Sequence, residues 1–325
     1  MPLPDPARYA RDAAQAIGAD YQDLDHGENY LFRIAKHGRS LVSGAGSVAS
    51  FPINSATSVS IARDKSFTNA VLAEAGLPVI ASGLFFAHQR RVALRGPGRE
   101  AVDARAHAKR LGWPVFCKPN TGARGNFAEI VSDDAALVDY IARVAVEFEA
   151  FLIQPVVRGA EHRVLIQDGR PIFHAAKLAP ALAGDGKTRL VDLLASLNQT
   201  LDGTGVSPWP PSVISLARRD QSDVLKPGER MALPGRRNLS AVGEIERFST
   251  QVPEPLLDLA RAAVAAVGLR IGAVDMFDVS AAGDLPDLVI IEVNGNPGLK
   301  TLELAGRMDL ILAIWTDMLT ELLEA

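Results

Sequence analysis

Residues 288–299, LVIIEVNGNPGL, constrain the fold more than any other stretch. An apolar run of strand length ends in a Gly/Pro turn. It carries a carboxylate, Glu292, and a carboxamide, Asn294, two positions apart. Side chains at i and i+2 of a strand share a face, so two oxygen ligands stand side by side and Val293 between them faces away. Hard cations such as Mg2+ take such oxygens and complete their shell with water and phosphate. A second apolar run, IGAVDMFDV at 271–279, places Asp275 on a neighbouring strand. Two acids and an amide on adjoining strands make a candidate Mg–nucleotide site. The alternative is a strand end with a solvated Glu292.

The chain has 325 residues, room for two or three lobes with a sizeable core. Apolar residues make up 48% and charged residues 22%, ordinary for a globular protein. A net charge of -4 disfavours a polyanion partner, so no nucleic acid is expected. The lone Cys117 excludes an intrachain disulfide framework and a cysteine-cluster zinc site; it is expected in the core. No apolar run reaches the ~18 residues of a membrane span. The N-terminus, MPLPDPARYARD, has no apolar signal core, and a cytoplasmic location is expected.

Along the chain, RDKSFTNAVLAEAGLPVI at 63–80 spells helix, turn and strand. Asp64 caps, Gly76 stops the helix and Pro78 prevents its continuation. A helix near 105–111 ends at Gly112 and Pro114. The strand VFCKP and the glycine-containing loop NTGARGN follow. Helical periodicity spans 133–148, and FLIQPVV is a strand. Asp168-Gly169 between two apolar runs predicts a tight hairpin. A short helix is expected at 191–198 and an irregular crossing at 200–235. The helix at 254–267 buries Leu256, Leu257, Ala260, Val264 and Val267. A closing helix turns Leu310, Ile311, Ile314, Trp315, Met318 and Leu322 inward. The pattern is α+β with a mainly antiparallel C-terminal sheet.

Two motifs are decoys. Gly44-x-Gly46-x-x-Ala49 imitates a dinucleotide fingerprint, but Pro52 and a Ser/Asn-rich stretch stand where a helix is required. GDGKT at 184–188 imitates the end of a phosphate loop, yet Ala181 occupies the position of its first glycine; it is a turn with Lys187 exposed. Lys65 at a helix start and Lys118 at a strand end are better phosphate ligands. Lys118 precedes a loop whose glycines, Gly122 and Gly125, leave backbone N–H groups open to an anion. Against this, each lysine alone reads as a snorkelling surface residue. Backbone groups at Val156 and Val157 can read an adenine edge, and Glu161 can accept from ribose hydroxyls. The plain alternative is a surface Glu161–Arg163 pair.

Taken together, SIARDKSFTNAVLAEAGLPV, CKPNTGARGN, HRVLIQDGRPIFHAAKLAPALAGDGKTRLVDLL, GERMALPGRRNLSAVGE and IIEVNGNPGL resemble the ATP-grasp superfamily of carboxylate–amine ligases. The resemblance is to the ATP-grasp module of cyanophycin synthetases and bifunctional glutathione synthetases. It implies an α+β ATP-grasp fold, two α+β lobes gripping ATP. Residues 1–57 would be a short N-terminal segment, 58–155 the central lobe with the glycine loop, and 156–325 the C-terminal lobe with the metal site. It further implies that Lys65, Lys118, Gly122 and Gly125 hold the phosphates, and Gln154, Val156, Val157 and Glu161 the nucleoside. Asp275, Glu292 and Asn294 would bind Mg2+ or Mn2+. Lys177, Arg237, Asn238 and Arg163 would contact the γ-phosphate or an acyl phosphate. Two departures stand out: Lys177 stands where the cyanophycin group has arginine, and Val242 where it has glycine.

The expected activity is amide formation between amino acids or small peptides through an acyl phosphate, with ATP and Mg2+ and no membrane. Homodimers and homotetramers are the assemblies the family implies. The alternatives are an enzyme of the same fold that modifies a larger peptide or carrier protein, and a non-catalytic ATP-binding regulator.

Overall fold

The computed structural model describes residues 3–90, 92–238, 243–280 and 287–324. Part of GERMALPGRRNLSAVGE, including Val242, therefore lies outside the described residues. The chain opens with α1 (Asp5–Ala16), β1 (Asp20–Asp23), β2 (Leu31–Lys36) and β3 (Arg39–Gly44), then α2 (Ala56–Arg63) and α3 (Lys65–Glu74). β4 (Gly83–Phe86), α4 (Ala101–Leu111), β5 (Val115–Pro119), β6 (Glu129–Val131), α5 (Asp134–Val144) and β7 (Ala150–Pro155) follow. The strands of this stretch form one antiparallel sheet in the order β4-β7-β5-β6.

Next come β8 (Ala160–Gln167) and β9 (Arg170–Leu178), joined through Asp168 and Gly169. Both turn residues have positive φ, 48° and 73°, which a two-residue hairpin demands. β10 (Ala181–Ala183), α6 (Leu190–Gln199), α7 (Ser212–Leu216) and β11 (Arg230–Ala232) then make a small module. The chain ends with β12 (Glu244–Ser249), α8 (Glu254–Val267), β13 (Ile271–Asp278), β14 (Leu288–Asn294), α9 (Lys300–Leu304) and α10 (Met308–Glu324). A second antiparallel sheet runs β12-β9-β8-β13-β14.

Residues 200–235 were expected to be irregular. Instead they complete the module between β9 and β12, whose own core gathers Leu194, Leu201, Trp209, Ile214, Leu225 and Leu233. Its α7 has five residues and β10 and β11 three each, too short to leave a periodic signature. Of the closing helix's expected inward set, Ile311, Ile314, Trp315 and Met318 are buried; Leu310 and Leu322 are half-buried, and Leu319 and Leu323 fill the seam.

The five-stranded sheet places the site. One face carries Val164, Ile166, Val274, Met276 and Val293 and packs on α8, together with Ala62 of α2 and Leu72 of α3. Residues 58–80, assigned from sequence to the central lobe, thus pack largely on the C-terminal sheet. The four-stranded sheet has a separate core of Phe85, Val115, Tyr140 and Phe151. On the opposite face of the five-stranded sheet, Leu165, Phe173, Ala175, Ile271 and Ala273 join α1, α10, Phe32 and Ile34 in another core. That face is apolar over half its length. Two residues further along each strand it becomes charged, with Lys177 on β9, Arg163 and Glu161 on β8, and Asp275 on β13.

Candidate ATP and metal site

Antiparallel register lines up Arg163, Asp275 and Glu292 across three adjacent strands. Asn294 lies two residues beyond Glu292, on the same face. Its amide nitrogen is 3.4 Å from Asp275 Oδ2 and 3.3 Å from Glu292 Oε1. Past Asp275 the pairing slips, Met276 meeting Ile290, so Ile291 is an extra residue. Such bulges re-aim strands beside functional sites. Here the Ile291 carbonyl accepts from Lys118 Nζ at 3.3 Å, across from the other sheet.

Four cations and three acids converge. Lys177 Nζ donates to Glu161 Oε1 at 2.7 Å and to Asp275 Oδ1 at 2.9 Å. Arg163 lies 3.7 Å from Asp275, and Lys65 3.7 Å from Glu292. Burial pushes the Lys118 ammonium down to about 8, with Glu292 opposing. Burial would raise the Glu292 carboxyl, but Lys65, Lys118 and Lys177 outweigh it and hold the group at about 2. Burial pulls Lys177 down, and Asp275 and Glu161 more than restore it, so it stays a cation. The surplus of positive charge suits a polyanion such as a triphosphate.

The donor set fits a hard divalent cation. Asp275 and Glu292 are ionisable oxygen donors facing one amide. A half-turn of the Asn294 amide brings its oxygen to the position its nitrogen holds beside Asp275 and Glu292, where it can join theirs. Among the described residues no group of three His, Cys, Asp or Glu side chains has a metal-binding arrangement. Water and phosphate must supply the rest of the shell, as Mg2+ prefers.

Lys65 opens α3, capped by Asp64 through a bond from the Phe67 N–H. Asn120 fixes this helix start to the glycine loop: its carbonyl accepts from Lys65 N, its Oδ1 from Ser66 N, and its Nδ2 donates to Asp64 Oδ2. Lys65 Nζ then donates to the Gly122 carbonyl at 2.5 Å. Gly125 has φ of 73°, and a Cβ there would lie 2.5 Å from Asn238 Oδ1.

At the junction of the two sheets, Gln154 is 1% exposed, and its Nε2 has no hydrogen-bond partner among the described residues. An orphaned buried donor costs free energy unless a ligand meets it. Adenine carries ring-nitrogen acceptors for such a group. Half-buried Val156 and Val157 follow directly in the connection between β7 and β8. Arg237 sits further out, donating to the Gly159 carbonyl at 3.0 Å with its guanidinium over Phe277.

The structure therefore brings Lys65, Lys118, Arg163, Lys177, Glu161, Asp275, Glu292 and Asn294 into one cluster. Gly122 is linked through Lys65, and Gly125 abuts Asn238. Sequence reasoning gave no role to Asn120, although it lies inside CKPNTGARGN, because its bonds to Asp64, Lys65 and Ser66 are tertiary. Cys117 is fully buried, and Lys187 is exposed in its turn. Lys300, Arg307 and Arg219 pair with Glu303, Asp309 and Glu229.

No protein-family model matches the chain. It is 28% identical over 258 residues to cyanophycin synthetase of Geminocystis herdmanii, a match covering 74% of this chain and 28% of that protein. It is 23% identical over 253 residues to the glutathione biosynthesis bifunctional protein GshAB of Streptococcus thermophilus, covering 73% of this chain and 32% of that one. The chain thus spans under a third of the length of these curated relatives. Among solved structures, D-alanine–D-alanine ligase of Bacillus anthracis superposes with a TM-score of 0.50 at 16% identity, covering 82% of this chain and 72% of that one. The chain has the ATP-grasp fold and is similar in sequence to part of the cyanophycin synthetases and bifunctional glutathione biosynthesis proteins.

Proposed function

We propose that the protein is an ATP-dependent carboxylate–amine ligase that forms an amide bond between amino acids or small peptides. The observation that carries this is the cluster in which Asp275, Glu292 and Asn294 of one sheet meet Lys118 of the other and Lys65 beside it. A metal donor set thereby faces two phosphate-binding cations across the sheet junction. The proposed gripping lobes are residues 58–155 and 156–325, with 1–57 as a segment packed, like residues 58–80, on the sheet of the second.

A carboxylate is a poor acyl donor because its leaving group is oxide. In the proposed reaction a carboxylate oxygen attacks the γ-phosphorus of ATP. The bond to the β,γ-bridging oxygen breaks, ADP leaves and an acyl phosphate forms. An amine then attacks the acyl carbon, phosphate departs and the amine proton is lost. The protein's part is positioning and neutralisation of charge. Asp275, Glu292 and Asn294 would hold Mg2+, which when bound neutralises phosphate charge; Mn2+ suits the same oxygens. Lys65, Lys118 and the N–H groups around Gly122 and Gly125 grip the phosphates. Lys177, Arg163, Arg237 and Asn238 face the transferring group. Gln154, Val156, Val157 and Glu161 receive the nucleoside. Loop closure keeps water from the acyl phosphate.

No helix among the described residues is long and apolar enough to cross a membrane. A cytoplasmic location and a dimeric or tetrameric assembly belong to the same proposal and rest on the resemblance. The test is ADP release by purified protein with a panel of amino-acid pairs, with products identified by mass spectrometry. The reading expects an amide one water lighter than its two precursors. ADP release unchanged by Asp275→Asn and Glu292→Gln would remove the metal assignment.

A further inference from the structure

The glycine loop is held from two sides. One hold is Lys65 on the Gly122 carbonyl. The other comes from Arg236, to which no role has been assigned so far. Arg236 is 3% exposed. Its Nη1 donates to the Gly125 carbonyl at 3.0 Å and to Ser207 Oγ at 2.9 Å, and its Nη2 to the Ser207 carbonyl at 2.6 Å. The guanidinium stacks on Trp209, 4.4 Å from the ring centre. Ser207 belongs to the module between β9 and β12, and it extends the contact. Its Oγ accepts from Phe127 N at 2.9 Å, and its N–H donates to Asn126 Oδ1 at 2.8 Å. Asn126 and Phe127, which follow Gly125 at the end of the loop, are therefore bonded to a part of the chain some 80 residues away.

Two features make this more than ordinary packing. No carboxylate pairs with Arg236 among the described residues, and burial pulls its guanidinium down to about 10. Glu129 acts on this cation only at a distance and the Arg236 Nε has no partner among the described residues, so the Gly125 carbonyl that Nη1 meets supplies part of what compensates its burial. Lifting the loop would strip a bond from that cation, so docking is favoured as a unit. The approach is also close: a Cβ on Gly125 would lie 2.5 Å from Asn238 Oδ1 and 3.2 Å from Arg236 Cδ. Only glycine allows loop and latch to meet.

We infer that Arg236 is a positioning residue that locks the loop 121–126 down over the triphosphate, so that the module carrying Ser207 and Trp209 sets when the site is closed. The inference rests on the proposed nucleotide role of that loop. The latch itself can be tested without nucleotide. Arg124, at the exposed tip, offers a trypsin site whose cleavage reports opening.

The experiment follows cleavage at Arg124 by mass spectrometry in the full chain, with and without Mg–AMP-PNP, in wild type, Arg236→Ala, Arg236→Lys and Ser207→Ala. Arg236→Ala is expected to raise ligand-free cleavage at Arg124 about tenfold, the scale of one lost charge-assisted bond. Arg236→Lys should recover part of the protection, because it keeps a cationic donor for the Gly125 carbonyl. Mg–AMP-PNP should protect wild type strongly and Arg236→Ala weakly. Should Arg236→Ala be cleaved everywhere, as an unfolded chain is, Ser207→Ala carries the test, with a selective rise at Arg124. Wild-type rates at Arg124 in both Arg236→Ala and Ser207→Ala overturn the latch. A wild type that binds no Mg–AMP-PNP overturns the nucleotide reading instead, and leaves the ligand-free comparison to decide the latch.

Discussion

Replacing Lys177 by methionine keeps the side chain's length and removes its charge. Lys177 is 5% exposed and sits 2.7 Å from Glu161 and 2.9 Å from Asp275, which are themselves 8% and 2% exposed. The variant leaves two buried carboxylates facing each other. Breaking a buried pair by removing one partner costs about 3–5 kcal/mol. Arg163, 3.7 Å from Asp275, offsets part of this, so a loss of about 3 kcal/mol is expected at pH 7.5. The loss must also depend on pH. Burial already pushes the Asp275 carboxyl above its ordinary value, and without Lys177 it rises further. A group whose folded pKa lies above the unfolded one stabilises the fold at low pH and loses that contribution as pH rises. The deficit of Lys177→Met should therefore shrink between pH 7.5 and pH 5.5. Urea unfolding of both proteins at the two pH values measures it. A deficit below about 1 kcal/mol, or one equal at both pH values, would refute the claim that Lys177 holds two buried anions.

Other consequences are as specific. Asn54, 8% exposed, donates to the carbonyls of Ile271 and Gly295 and accepts from the N–H groups of Arg270 and Ile271, tying the start of β13 to the turn after β14. Asn54→Ala orphans these groups and should cost about 3 kcal/mol in urea unfolding. His174 is held at about 4 by burial, with His162 and Arg247 adding to the effect. Its neutral form thus contributes stability above pH 6.5 that is lost as pH falls toward about 4, so wild type should weaken relative to His174→Gln over that window and not above pH 7. Burial raises the Cys117 thiol far above its usual range, so iodoacetamide should label it only after unfolding, as followed by intact mass.

How much of this was legible in the sequence depends on whether a local rule was at work. The shared face of Glu292 and Asn294 could be read because a strand's period of two is strict, and both residues obey it. The Asp64 cap, the Gly76 and Gly268 stops and the Asp168-Gly169 hairpin are local backbone chemistry, and the structure has each of them. The helix α1 leaves little trace in the sequence because, Tyr9 apart, its buried face is built from Ala7, Ala10, Ala13 and Ala14, which do not stand out as apolar. The module reads as a loop in the sequence because its elements are short and its core is assembled from residues far apart along the chain. Lys118 reads equally well as a surface lysine. Its burial, and its bond to a carbonyl exposed by a bulge on another sheet, are tertiary facts. Arg236 lies beside Arg237 in the sequence, and nothing local tells which of the two turns toward the glycine loop.

The central claim is that Asp275, Glu292 and Asn294 hold a divalent ion against a triphosphate gripped by Lys65 and Lys118. Calorimetric titration of AMP-PNP into wild type and an Asp275→Asn/Glu292→Gln variant, each with Mg2+ and with EDTA, tests it directly. The account predicts that Mg2+ tightens binding to wild type by about tenfold or more, roughly 1.4 kcal/mol, and does little for the variant. Equal affinity with and without Mg2+ in wild type, or a full Mg2+ effect in the variant, would contradict it.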